Sequence, residues 1–72
     1  MEELDLRGVK CPMNFVKTRL KLDKMAVGEK LAVLLDEGEP VESVSASVQS
    51  EGHAIESSDR QESYYRVVIR RS

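Results

Sequence analysis

The chain has 72 residues, a formal net charge of -2, and 40% hydrophobic and 33% charged residues. This length predicts one small domain, residues 1–72, without room for a cleft that encloses a cofactor. The nearly balanced charge, one Phe, two Tyr and no Trp argue against direct nucleic-acid binding, and no segment approaches the roughly 20 apolar residues of a membrane span.

The first strand and helix are predicted near the N-terminus. Residues 3–7 alternate polar and apolar side chains, which is typical of a half-buried strand. Gly8 predicts a turn after that strand. Pro12 suits the first position of a helix, because its missing N–H is not needed there. We expect this helix to run from Pro12 to about Met25.

The second strand and helix follow the same alternation. Residues 30–36 form a short, mostly apolar run, as expected for a strand in the middle of a sheet. The acidic segment 36–39 leads into Pro40; it either caps a second helix or binds a cation or a basic partner. Valines spaced at i, i+3 and i+7 predict the buried face of that helix, and Gly52 is placed to end it.

The C-terminal third predicts a β-hairpin with strands over residues 53–59 and 63–71. In the last strand, Tyr65, Val67 and Ile69 share one face, and the residues between them share the other. His53 is predicted to begin a strand and not to bind a metal, because no second His or Cys-x-x-Cys accompanies it. The order β-α-β-α-β-β predicts a two-layer α/β sandwich, with both helices on one face of a mixed four-stranded sheet.

The first helix carries two apolar stripes. One stripe, at i, i+3, i+7 and i+10, comprises Phe15, Thr18, Leu22 and Met25 and should face the sheet. A second stripe comprises Met13, Val16 and Leu20. One helix packed on one sheet cannot bury both, so the second stripe predicts a docking surface for a protein partner, edged by Lys17, Arg19 and Lys24. The alternative is that Val16 and Leu20 pack against the second helix at Val44 or Val48.

Cys11 is the only cysteine, so it cannot close a disulfide within the chain or form a multi-thiolate metal site by itself. At a helix start, the helix dipole, free N–H groups and neighbouring Lys10 favour the thiolate. An unpaired cysteine and the acidic start Met1-Glu2-Glu3 predict a cytoplasmic protein without a secretory signal.

The segment Leu4-Asp5-Leu6-Arg7-Gly8-Val9-Lys10-Cys11-Pro12, Gly28-Glu29, Gly52-His53 and the strand 65–70 resemble the TusA/SirA family of small sulfur-carrier proteins over nearly the whole chain. The resemblance implies that Cys11 carries sulfur as a persulfide, with Pro12 as the first proline of a Cys-Pro-x-Pro motif. Asn14 stands where the motif has its second proline and restores a backbone N–H.

The resemblance implies a donor protein, such as a cysteine desulfurase or another sulfurtransferase, and an acceptor protein. No cofactor, resident metal, nucleic acid or membrane is expected, and the chain is expected to be a monomer or a weak oligomer. Lys10 and the helix N–H groups would stabilise the sulfur anion. The alternative function is a thiol-redox regulatory or protein-interaction module on the same fold.

Overall fold

Residues 2–10 and 12–72 are described by a computed structural model of the chain. The elements along these residues are β1 (Glu2–Asp5), α1 (Met13–Asp23), β2 (Lys30–Asp36), α2 (Glu39–Ser50), β3 (Ala54–Arg60) and β4 (Tyr64–Arg70). Their order is β-α-β-α-β-β, and the predicted two-layer α/β sandwich is confirmed.

The four strands form one mixed sheet in the spatial order β1-β2-β4-β3. β1 pairs parallel with β2, whereas β4 pairs antiparallel with both β2 and β3. A parallel pair requires a crossover, and α1 supplies it. The crossover places α1 against the sheet, beside α2, so that both helices cover the same face.

The core lies between the helices and that face of the sheet. The buried side chains of alternate positions in β2 and β4 meet apolar residues from both helices; the cluster comprises Leu6, Leu22, Met25, Leu31, Val33, Leu35, Val41, Val44, Val48, Val67 and Ile69. Phe15 and Tyr65 pack against this cluster from its margin. The predicted face of the last strand and the predicted sheet-facing stripe of α1 therefore supply core residues.

The opposite face of the sheet carries charged side chains that form ion pairs. Ala32 and Val68, which are paired across β2 and β4, are nearly inaccessible although no helix lies over them. Glu56 pairs with both Lys30, at 3.6 Å, and Arg70, at 3.2 Å, on this face. Such long side chains can cover apolar surface with their stems while their charged ends remain in water.

The helix ends differ from the prediction by one or two residues. α1 begins at Met13, so Pro12 is the residue before the helix and not its first residue, and α1 ends at Asp23 instead of Met25. α2 ends at Ser50, and Gly52 follows it as the predicted helix-ending residue. Gly52 has a φ of +95° and donates its N–H to the Gln49 carbonyl. The next N–H, from His53, reaches the Val48 carbonyl, which completes a Schellman motif.

Within the described part of the chain, neither helix has the length and apolarity needed to cross a membrane.

Candidate functional site

The candidate nucleophile, Cys11, lies outside the described residues, so its surroundings are built from the segments on either side. Lys10 and Pro12, its sequence neighbours, are both exposed. The site therefore consists of the β1–α1 loop, the first turn of α1 and the surface that continues along this helix.

The loop that leads to position 11 begins with a tight turn. The Val9 N–H donates to the Leu6 carbonyl at 3.1 Å, and Gly8 between them has a φ of +79°. A positive φ at the third residue of a four-residue turn is the signature of a type II turn, which favours glycine. Gly8 thus forms the predicted turn directly after β1.

Two carboxylates fix this turn. Asp5 accepts hydrogen bonds from the backbone N–H of Arg7 at 3.0 Å and from its guanidinium at 2.8 and 3.0 Å. Asp36, at the end of β2, accepts the Gly8 N–H at 2.7 Å. Asp36, the first residue of the acidic segment 36–39, therefore braces the loop before Cys11.

The Asp5 contacts affect its charge state. Hydrogen bonds from the Arg7 side chain, followed by that from its backbone, lower the pKa of Asp5 from 3.8 to about 2. The Arg7 guanidinium also lies 4.7 Å from the centre of the Tyr64 ring, within the range of a cation–π contact. The Asp5–Arg7 pair therefore stays ionised at neutral pH and links the loop to β4.

Two backbone N–H groups in the first turn of α1 donate hydrogen bonds within the protein. The Asn14 N–H, which a proline would lack, donates to the Lys10 carbonyl at 3.1 Å, and the Phe15 N–H donates to Asn14 Oδ1 at 2.7 Å. Pro12 has no N–H. The expectation of free helix N–H donors for a sulfur anion is therefore wrong for the N–H groups of Asn14 and Phe15.

Asn14 is a buried residue that the sequence did not predict to be buried. Its exposed fraction is 0%, as is that of Thr18, one turn later. The Thr18 hydroxyl donates to the Asn14 carbonyl oxygen at 2.8 Å. The Nδ2 group of Asn14 is buried and has no hydrogen-bond acceptor among the described residues. The sequence carried one signal of this burial: Asn14 and Thr18 are four positions apart, on one helix face.

The second apolar stripe of α1 lies on the surface. Met13 is 50% exposed, Val16 is 37% exposed and Leu20 is 57% exposed. Val44 and Val48 of α2, the alternative partners of this stripe, have no exposed surface and belong to the core cluster. The exposed fractions favour an open stripe over one covered by α2.

The cations around the stripe fall into two groups. Arg19 forms an ion pair with Glu51 at 3.3 Å, which ties α1 to the end of α2. Lys17 and Lys24, by contrast, take part in none of the ion pairs between described residues. These two lysines lie one turn after Met13 and Leu20, on the same side of the helix. The stripe therefore has positively charged groups available along its length.

The other titratable groups give no sign of a metal site. His53 Nδ1 accepts the backbone N–H of Ser72 at 3.2 Å, a local structural contact. No cluster of three or more metal-ligating side chains exists within residues 2–10 and 12–72.

The fold and the loop before α1 define a small α/β sandwich, and the sequence places its single cysteine two residues before the first helix. A family model described as sulfurtransferase TusA matches residues 2–71. The chain belongs to this TusA family, as its sequence motifs predicted.

Three similar proteins have names that describe them as candidate sulfur carriers. One, from Archaeoglobus fulgidus, is 46% identical over 54 residues, which cover 75% of this chain and 61% of that protein's length. Another, from Methanocaldococcus jannaschii, is 30% identical over 99% of this chain and 95% of its own length. A third, from Neisseria meningitidis serogroup A, is 28% identical over 94% of this chain and 92% of its own length.

Proposed function

We propose that the protein is a cytoplasmic sulfur carrier that accepts sulfur as a persulfide on Cys11 and passes it to a partner protein. The family match over residues 2–71 is the observation that carries this proposal. The names of the relatives support it, and so does the presence of a single thiol in the motif that leads into α1.

The proposed chemistry needs a thiolate but no base within this chain. The Cys11 thiolate attacks the outer sulfur of a donor persulfide; the bond between the two donor sulfurs breaks, and the donor leaves as a thiolate. In the second step an acceptor thiolate attacks the outer sulfur on Cys11, which leaves as a thiolate again. No net oxidation or reduction occurs in either step. Lys10 would stabilise the anion, and Pro12 would fix where α1 begins.

We propose that the stripe Met13, Val16 and Leu20 docks the donor or acceptor protein. Three exposed apolar side chains in one row begin two residues after Cys11 in the sequence, and they offer a contact surface for a protein partner. Lys17 and Lys24, together with Arg19 at the edge, favour a partner whose apolar patch is flanked by carboxylates. Methionine adapts its shape readily, which suits a surface that meets two partners in turn.

The carrier function is tested by intact mass. The protein is incubated with a cysteine desulfurase and cysteine, or with thiosulfate and a sulfurtransferase. We expect a gain of about 32 Da, one sulfur atom, on the native protein and none on Cys11→Ser. A native protein that gains no sulfur from any of several donors would contradict the proposal and favour the thiol-redox regulatory function.

The docking surface is tested by Met13→Glu and Leu20→Glu. A carboxylate placed in an apolar contact flanked by acidic groups should slow protein-to-protein sulfur transfer about tenfold, which corresponds to ~1.4 kcal/mol. Val27→Glu is the matched control, because Val27 is also an exposed apolar side chain, at 73%, but lies outside α1. Unchanged transfer by both α1 variants would rule out the docking surface and leave the carrier function standing.

A further inference from the structure

β1 is an edge strand with little apolar packing of its own. It has four residues, Glu2–Asp5, and lies at one edge of the sheet, where it pairs with β2. None of its four side chains is fully buried, and Leu4 packs against the core cluster from its margin. β2, in contrast, contains five consecutive buried residues, 31–35. Segments with few buried apolar contacts are those that open locally before a protein unfolds as a whole.

Ion pairs hold β1 from both faces of the sheet. On the helix side, Glu2 pairs with Lys21 of α1, and the hydrogen bond from Lys21, followed by its charge, lowers the pKa of Glu2. On the opposite face, Glu3 pairs with Arg66 of β4 at 3.6 Å, so this contact reaches across β2. With the Asp5–Arg7 pair, each of the three carboxylates of β1 has a cationic partner.

These ion pairs are accessible to water and to salt. The side chains of Glu2 and Glu3 are 56% and 54% exposed. Exposed ion pairs contribute little stability each, and salt weakens them, because the range of electrostatic attraction falls from about 10 Å at 0.1 M salt to about 3 Å at 1 M. The attachment of β1 to the fold therefore depends on contacts that the ionic strength can change.

We propose that residues 2–5 detach from β2 as a unit while the rest of the fold stays intact, and that salt sets how often they do so. The detached segment ends at Leu6, which is 1% exposed and donates its N–H to the Leu34 carbonyl at 2.9 Å. Beyond Leu6, Asp36 holds the next turn through the Gly8 N–H. Detachment uncovers the edge of β2, and an uncovered strand edge is a template for pairing with another strand. β1 is thus a salt-sensitive cover for that edge.

Amide hydrogen exchange, followed residue by residue by NMR, tests the proposal on the native protein. We expect the protected amides of β1 to exchange faster than those of β4 and with a weaker dependence on urea, because their opening exposes less surface than global unfolding. Raising the NaCl concentration from about 0.05 M to about 1 M should speed exchange in β1 about fivefold and exchange in β4 less than about twofold. Equal exchange in the two strands, or an equal response to salt, would overturn the proposal.

Two variants break the ion pairs of β1 one at a time. Lys21→Gln removes the partner of Glu2, and Arg66→Gln removes that of Glu3. Each should speed exchange in β1 about two- to fivefold and leave exchange at Val67 and Ile69 of β4 unchanged.

Arg60→Gln is the matched control, because it breaks the ion pair of Arg60 with Glu37, at 3.0 Å, which includes no residue of β1. It should leave exchange in β1 at the native rate. Native exchange rates in β1 of both Lys21→Gln and Arg66→Gln would overturn the proposal, as would an equal acceleration of exchange in β1 by Arg60→Gln.

Discussion

The two leucines of α1 at positions 20 and 22 give the sharpest test of how this helix divides its faces. Leu20 is 57% exposed and Leu22 is 1% exposed, although they have the same side chain two residues apart in one helix. Leu22→Ala removes core packing and should cost about 2–5 kcal/mol of unfolding free energy. Leu20→Ala should change stability by no more than about 0.5 kcal/mol, because more than half of Leu20 is exposed to solvent and alanine favours helix.

The size of the protein makes this difference easy to measure. At roughly 0.05–0.15 kcal/mol per residue, a chain of 72 residues has a total stability of about 4–11 kcal/mol. Leu22→Ala therefore removes a large share of it, and in urea, with a slope of about 1 kcal/mol per molar, the midpoint should fall by about 2 M or more. Urea titrations followed by circular dichroism, on the native protein and both variants, measure these shifts.

Sulfur transfer should depend on Leu20 and not on Leu22, which is the reverse of their effects on stability. At a temperature where Leu22→Ala is folded, its sulfur transfer to a partner should match that of the native protein, whereas Leu20→Glu should be slowed. A loss of more than about 1.5 kcal/mol in Leu20→Ala would refute the reasoning, since it would mean that Leu20 is packed and not available for docking.

Two further predictions concern the loop before Cys11. Gly8→Ala should lower the free energy of unfolding, measured in urea, by about 1–2 kcal/mol, because a residue with a side chain is strained at a positive φ. A steric clash adds nothing to this cost, since the added methyl group meets no atom within 4 Å. Gly8→Asn should recover part of that loss, and equal stability of Gly8→Ala and the native protein would contradict the turn type. A carbon-13 NMR titration should place the Asp5 midpoint near pH 2, and Arg7→Ala should return it toward 3.8. Since the folded-state pKa is lowered, the stability from this pair is present above about pH 4 and lost as the pH falls toward 2; an unchanged Asp5 midpoint in Arg7→Ala would show that another group lowers it.

Local patterns predicted much of this protein. The alternation in β4 identified Val67 and Ile69 as core residues, and the helical spacing over residues 15–25 identified Leu22 and Met25. Gly8 and Gly52 marked a turn and a helix end, since a positive φ is a property of the single residue. The family followed from short motifs spread over the chain, and the match over residues 2–71 confirms it.

The residues around the candidate thiol were predicted less completely than the fold. The sequence singled out Cys11, Lys10 and Pro12, and their role in sulfur transfer stays a prediction because it depends on chemistry with partners. The position of Pro12 was one residue off, since a proline fits the residue before a helix as well as its first residue. The burial of Asn14 was missed because a polar residue near a helix start is usually solvated or capping.

Sequence periodicity by itself determined which residues form helices and strands and which of their faces are apolar, because periodicity is set by the geometry of a single element. Only the tertiary structure decided the strand order β1-β2-β4-β3, the contact of Asp36 with Gly8 and the enclosure of Asn14. These features join distant parts of the chain: Asp36 and Gly8 are 28 residues apart, and the pairing of Lys30 with Arg70 joins residues that are farther apart still. They depend on how the elements pack together, and no single element encodes that packing.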